Sequence, residues 1–292
     1  CAKLSGITEY DPQEYTLSAQ CGTPLQTIAE ALAEHGQYLP FDPPFAEDGA
    51  TIGGTIACGL SGPGSIHHGV VRDFVIGIRF VDGRGVVTQG GGKVVKNAAG
   101  LDYPKLFAGS LGGLGAITDV TLKVFPAPFS TVTVSFDDGD LEAGTAALRQ
   151  LLKSPVVCDG LNLFPDGRLL VRLGGLETSF RDRVERLAAL LGRRTPRRIE
   201  GDDERAIWTE LRDFSKYPKS RTIVKIPTSV DRLAELDAWL GAHCPDRYYG
   251  QGGAVAWCVP AADGLAGLQE WSASNRGCAL ALRGENGPRL IG

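Results

Sequence analysis

The stretch VVKNAAGLDYPKLFAGSLGGLGAITDVTLKVFP, from Val94 to Pro126, carries residue types that packing alone explains poorly. It opens on a strand-like VV, turns polar at Lys96 and Asn97, passes a turn at Gly100 and Asp102, and ends in an alternating strand from Asp119 to Phe125. Five glycines lie within it, a density that marks backbone taking positive φ or letting another group come close. The LGGLGAIT segment lacks the GxGxxG spacing and sits in no clean βαβ unit, so a nicotinamide dinucleotide site is not indicated. Lys96 and Asn97, a cation and an amide at a strand end beside a glycine-rich wall, suit a carboxylate or carbonyl ligand. Asp102 reads as the cap of a short helix from Tyr103 to Phe107.

Upstream, Thr23 and Pro24 read as N-cap and first-turn proline of a helix whose Leu25, Ile28 and Leu32 share one face and which Gly36 stops. Ala50 to Gly64 carries Gly53, Gly54, Gly59, Gly62 and Gly64, with small side chains between Ile52, Ile56 and Leu60. Two readings stand for it. Successive backbone N–H groups point at an anion, helped by the hydroxyls of Thr51, Thr55 and Ser61; or the glycines form a tight turn that packs two layers. His67 and His68 have no partner at a metal-ligand spacing and read as loop residues. FVIGIRFV (74–81) reads as a strand turning at Asp82-Gly83 into VVTQGG.

The texture changes at Pro126-Ala127-Pro128, which divides the chain into domains at residues 1–128 and 129–292. Beyond it, strands and helices alternate with short connections: TVTVSF, a helix capped by Asp140, RLLVRL, a helix from Ser179 to Leu191, then TIVKIP, a helix from Val230 to Leu240, AVAWCV, a helix from Gly264 to Ser272, and CALALR. The pattern predicts an α+β domain with a largely antiparallel sheet and helices on one face, its second half repeating the layout of the first.

Thirty basic against 34 acidic residues give a net charge of −4, which offers no footprint for nucleic acid. No apolar run is long enough to cross a bilayer, and the N-terminal residues are too polar for a secretory signal, so a cytoplasmic protein is expected. Seven cysteines without CxxC or regular spacing suggest reduced, mostly buried thiols and no metal site.

Taken together, ATIGGTIACGLSGPG (50–64), HHGVVRDFVIGIRFVDGRG (67–85), KNAAGLD (96–102) and the Gly109 to Ile117 run resemble the FAD-binding domain of the p-cresol methylhydroxylase/vanillyl-alcohol oxidase superfamily, most closely the FAD-binding subunits of bacterial glycolate oxidases. The resemblance covers roughly Gly22 to Pro128. It implies an FAD-binding domain that lacks its N-terminal βαβ unit, followed by the α+β cap domain. It implies FAD contacts from Pro43 in the Tyr38 to Pro44 loop, from Thr51, Gly53, Gly54, Thr55, Ala57, Ser61 and Gly62, and from Gly115, Ala116 and Ile117. Lys96 and Asn97 fall where related 2-hydroxy acid dehydrogenases place a K-x-N segment near the flavin ring, and are the expected catalytic residues. Leu101 replaces an aromatic residue of that pattern and Gly113 a threonine. The implied activity is oxidation of a small 2-hydroxy acid, glycolate or D-lactate, within a complex with a catalytic flavoprotein and an iron–sulfur subunit. The GHxGDGNxH metal motif of members that act alone is missing from the sequence, which keeps open a non-catalytic electron-relay or scaffold role. A third reading, a UDP-sugar enolpyruvyl reductase on the same fold, has no distinctive motif behind it.

Overall fold

The computed structural model describes residues 3–92, 101–137, 139–192, 196–261, 264–275, 277–284 and 289–291. The chain divides into two compact units, Cys1–Ala127 and Pro128–Gly292.

The first unit contains β1 (Ile7–Asp11), β2 (Thr16–Gln20), α1 (Leu25–Ala33), β3 (Gln37–Tyr38), α2 (Ile52–Cys58), α3 (Val71–Phe74), β4 (Val75–Val81), β5 (Val87–Gly91), α4 (Tyr103–Phe107), β6 (Ala116–Lys123) and β7 (Phe125–Pro126). Five strands form one sheet in the order β1-β2-β6-β4-β5, every neighbouring pair antiparallel. Strand β2 shows why: Leu17 and Ala19 are buried while Thr16, Ser18 and Gln20 are half-buried, the period of two that one covered face imposes. Leu25, Ile28 and Leu32 of α1 and Ile52 and Ile56 of α2 join that face in a single apolar core. Asp102 caps α4 by accepting the Lys105 N–H at 3.2 Å. Asp82 closes the β4–β5 hairpin, accepting from the N–H groups of Arg84 (2.8 Å) and Val86 (2.9 Å).

Thr23 does not cap α1. Pro24 holds that position with no side-chain cap, and the buried Thr23 hydroxyl instead accepts from Gly6 N at 2.9 Å and lies 2.7 Å from Gln20 O. Backbone groups at the strand end take the hydroxyl instead, as a short hydroxyl side chain readily bonds nearby main chain.

The second unit contains β8 (Ser130–Phe136), α5 (Leu141–Leu152), β9 (Gly160–Leu163), β10 (Leu169–Gly175), α6 (Phe180–Leu190), β11 (Arg197–Ile199), α7 (Gly201–Asp213), β12 (Val224–Pro227), α8 (Leu233–His243), β13 (Asp246–Gly250), β14 (Val255–Val259), α9 (Gly264–Asn275), β15 (Ala279–Ala281) and β16 (Arg289–Ile291). Nine strands make one antiparallel sheet, β11-β8-β10-β9-β13-β14-β12-β15-β16. Each half runs β-α-β-β-α-β, and the strand order of the second mirrors that of the first across the β9–β13 pair. The expected repetition of layout is therefore present. Asp140 caps α5 through the Ala143 N–H at 2.8 Å, as its position predicts.

One sheet face presents Val132, Val134, Leu161, Leu163, Val171 and Leu173, all buried, and takes α5 and α8. The other face carries Thr133, Arg172, Gly160 and Asn162. Helix α7, which no sequence signal above anticipates, crosses that face: a Cβ on Gly160 would stand 2.4 Å from the Trp208 ring, so only glycine lets the indole lie flat there.

Candidate functional site

The glycine-rich stretch 50–64 forms a helix rather than a loop of free amides. Thr51 caps α2, its Oγ1 accepting the Gly54 N–H at 3.3 Å, and Gly59 ends it in the left-handed conformation, φ 61°. The chain's own acceptors take the amides: Ile52 N bonds Thr23 O (3.0 Å), Gly53 N bonds Cys21 O (2.8 Å), Gly62 N bonds Phe41 O (3.0 Å) and Gly64 N bonds Asp42 Oδ2 (2.9 Å). A Cβ on Gly53 would lie 2.6 Å from Cys21 Cβ, and one on Gly62 would lie 2.1 Å from Asp42 O. Both glycines therefore serve close packing of α2 and its following turn. Burial pushes the Cys21 thiol up. Gly54 differs: it is exposed, and only Thr51 Oγ1 stands within 4 Å of where its Cβ would be.

The second glycine segment docks on the C-terminal half of that helix. Gly109 N donates to Ile56 O at 2.9 Å and Leu111 N to Ala57 O at 2.8 Å. Within this clamp two side chains lack partners: Thr55 Oγ1 and Ser110 Oγ are buried with no hydrogen bond among the described residues. An unpaired buried hydroxyl costs about 1–3 kcal/mol, and two on adjoining segments fit a ligand that brings its own donors and acceptors, as the phosphates and ribose of a dinucleotide do. Ser110, Gly59 and Gly109 are the residues here that the expected contact set does not include. Their signal is the G-S pair at 109–110, opposite the helix-ending glycine.

The remaining expected contact residues scatter around this clamp. Pro43, Thr51 and Ala57 are half-buried; Thr55 is buried. Ser61 is buried and its Oγ accepts the Val71 N–H at 2.8 Å, so the hydroxyl already positions α3. Ala116 and Ile117 open β6 opposite Val81 and Phe80, and a Cβ on Gly115 would meet Val81 O at 2.5 Å, which ties this glycine to β4. Gly53 and Gly115 thus each face packing partners, and the glycine stretches meet at Gly59 and Gly109.

Lys96 and Asn97 lie outside the described residues. Both ends of the segment that bears them are described and held together: a Cβ on Gly90 would stand 2.7 Å from Tyr103 Cβ and one on Gly91 2.9 Å from Pro104 Cγ. His67 and His68 stack on each other at 4.0 Å, and His68 meets Phe125 at 5.0 Å. Arg283, at the end of the last predicted strand, suggests a carboxylate anchor by its chemistry, yet its guanidinium binds the carbonyls of Asp213 (3.0 Å), Tyr217 (2.9 Å) and Pro218 (2.8 Å), fixing the turn after α7.

Residues 1–91 match the FAD binding domain family. In fold, the chain superposes on alkyldihydroxyacetonephosphate synthase with a TM-score of 0.68 at 17% identity, over 94% of this chain and 61% of that one. Residues 1–91 thus carry an FAD binding domain, the cofactor is FAD, and the chain is similar to FAD-linked oxidoreductases. Within that class it is 35% identical over 247 residues to glycolate oxidase subunit GlcE of Escherichia coli (strain K12), a match covering 81% of this chain and 66% of that protein. It is 30% identical to glycolate oxidase subunit GlcD of Bacillus subtilis (strain 168), over 58% of this chain and 36% of that protein. D-lactate dehydrogenase of Anaerostipes hadrus is 33% identical, over 51% and 31%. The chain thus spans less than two thirds of the length of these relatives. No helix among the described residues is long and apolar enough to cross a membrane.

Proposed function

We propose that this chain is the FAD-binding subunit of a glycolate oxidase-like complex that oxidises a small 2-hydroxy acid to the 2-oxo acid. The observation that carries the reading is the clamp of α2 on the 109–111 segment, with Thr55 and Ser110 presenting buried, unpartnered hydroxyls. Thr55, Ser110 and the open Gly54 would hold the cofactor's polar atoms and admit its bulk. Bound FAD supplies a hydride acceptor. Lys96 and Asn97, on the segment whose ends Gly90 and Tyr103 bring together, would neutralise and orient the acid's carboxylate. The similarity to GlcE supports an assembly with a second flavoprotein subunit. An iron–sulfur subunit and a cytoplasmic setting complete the proposal.

A second reading, a non-catalytic subunit that relays electrons, is favoured by the absence from the sequence of a GHxGDGNxH segment. Anaerobic addition of glycolate or D-lactate to the purified flavin-loaded chain separates the two. Bleaching of the visible flavin bands without any partner supports catalysis; bleaching only after a second flavoprotein subunit is added supports relay. A full-length chain that takes up no flavin sinks both.

A further inference from the structure

The second unit holds a cavity of about 410 Å³ that the function proposed above does not use. It lies at one end of the sheet, on the face that α7 crosses. Leu170 and Tyr248 wall it from the strands, Ile207 and Phe214 from α7 and its end, and Phe164 and Tyr217 from adjoining turns. All the described residues that line it belong to the second unit.

Its walls are fixed without a ligand. Phe214 ends α7 in the left-handed conformation, φ 53°, which a phenylalanine rarely adopts. That turn sets its ring 5.9 Å from Tyr248 and 5.7 Å from Trp257. The Tyr248 hydroxyl donates to Leu211 O at 2.6 Å, and Arg283 holds the turn beyond Phe214 through the carbonyls of Asp213, Tyr217 and Pro218. A bulky residue keeps such a conformation only where its surroundings enforce it, and such residues gather at ligand clamps. The volume falls within the range of about 300–1,000 Å³ typical of small-molecule sites, and would hold on the order of a dozen waters. A two- or three-carbon hydroxy acid would leave most of it empty.

The charges around the cavity say what it prefers. Of the five charged residues that line it among those described, four are answered by the chain. Arg247 Nε donates to Asp237 Oδ1 at 2.6 Å, and Lys216 Nζ stands 3.3 Å from Glu210 Oε1. Asp246 faces the Tyr217 phenol, whose pKa is raised first by burial and then by that carboxylate. Arg168 is the exception. Its guanidinium lies over the Phe164 ring, 4.1 Å from the centroid, and the carboxylate nearest it among the described residues, that of Asp166, is 3.9 Å away, beyond hydrogen-bonding reach. An arginine flat on one ring keeps its N–H edge for a planar anion, which it binds bidentately.

We propose that this cavity binds an aromatic carboxylate about the size of a fused bicyclic ring. Its rings pack among Phe164, Phe214 and Tyr248, and its carboxylate pairs with Arg168.

Calorimetric titration of 2-naphthoate into the flavin-loaded full chain tests this. Two controls run beside it: 2-naphthamide keeps the rings and lacks the charge, and octanoate keeps the charge and lacks the rings. 2-Naphthoate binds about tenfold or more tightly than either. Arg168→Gln, on a half-buried turn residue, removes the advantage over the amide while the melting temperature and visible flavin spectrum stay as they were. Ile207→Trp fills the cavity from α7 and weakens both aromatic ligands by about tenfold or more. A wild type that binds no 2-naphthoate, or that binds the amide or octanoate as tightly, overturns the proposal. So does a preference for the acid that survives Arg168→Gln, or binding that Ile207→Trp leaves untouched, since either places the ligand elsewhere. The result does not depend on which acid the flavin oxidises.

Discussion

Gly59 and Gly109 touch: a Cβ on the first would stand 3.1 Å from the Cα of the second. Gly59 also holds φ at 61°, so any side chain there meets both backbone strain and a neighbouring main chain. Gly59→Ala should destabilise the first unit by about 1–2 kcal/mol and spread the clamp between α2 and the 109–111 segment. Thermal unfolding reads the first effect and the flavin-to-protein absorbance ratio reads the second. Unchanged flavin content would show that the clamp does not shape the cofactor site.

Gly54 separates space from strain. It lies in the first turn of α2, is exposed, and leaves open room beyond Thr51 Oγ1. Alanine there favours the helix by up to about 1 kcal/mol, so Gly54→Ala should leave the flavin-free protein as stable as before or more so. If the open wall admits the cofactor, the same change weakens FAD binding. Equilibrium titration with FAD, beside urea unfolding of the flavin-free form, gives the two numbers; tighter or equal FAD binding removes Gly54 from the site.

Thr55 and Ser110 make a complementary pair of tests. Replacing a buried, unpartnered hydroxyl by an apolar group of similar shape removes a desolvation cost of about 1–3 kcal/mol. Thr55→Val and Ser110→Ala should therefore raise the stability of the flavin-free chain while lowering FAD affinity. A loss of stability in the flavin-free form would mean that these hydroxyls have partners within the chain.

These residues also show where the sequence speaks and where it falls silent. The period-two strands and the aspartate caps at 102 and 140 are legible because each signal is local, lying within four residues of what it controls. The stretch at 50–64 stays open between two readings because glycine permits both anion binding and close packing, and the contact that ties Gly53 to Cys21 lies some thirty residues away in sequence. Helix α7 escapes notice because Asp202, Asp203 and Glu204 look like solvated acids. The Trp208 that fixes the helix to the sheet finds its seat at Gly160, far away in sequence. The cavity beside Phe214 is silent for the same reason: Phe164, Phe214 and Tyr248 meet there from three separate stretches of the chain.

Cys158 offers a pH test. Burial, with the Asp159 charge adding to it, pushes its thiol up to about 11 from an ordinary value of 9.0. The folded state thus holds the proton more firmly than the unfolded state does. The stability this gives is complete below the ordinary value and is lost as pH rises through about 11. Subtracting the unfolding free energy of Cys158→Ala from that of the wild type at each pH should give a difference that is flat near neutrality and shrinks between those two values. A flat difference throughout would mean that the thiol is not buried. Alkylation at neutral pH should reach the exposed Cys278 well before Cys158.

Glu204, on α7 against the sheet, is 1% exposed, where a carboxylate is tolerated only with a full set of donors. It has them: Arg172 Nε at 2.7 Å and Nη2 at 3.1 Å, Thr131 Oγ1 at 3.0 Å and Thr133 Oγ1 at 3.1 Å. Trp208 donates in turn to Thr133 Oγ1 at 2.7 Å, linking α7 to β8 and β10. Removing the carboxylate strands Arg172 and two hydroxyls at once, so Glu204→Ala should destabilise the chain by about 3 kcal/mol. Replacing both charges, as in the double variant Glu204→Leu with Arg172→Met, should cost less than the single change, because no buried charge is left unpaired. Urea unfolding of the wild type and the two variants decides this: a double variant at least as unstable as Glu204→Ala would mean that the loss comes from the missing contacts themselves rather than from a buried charge left unpaired.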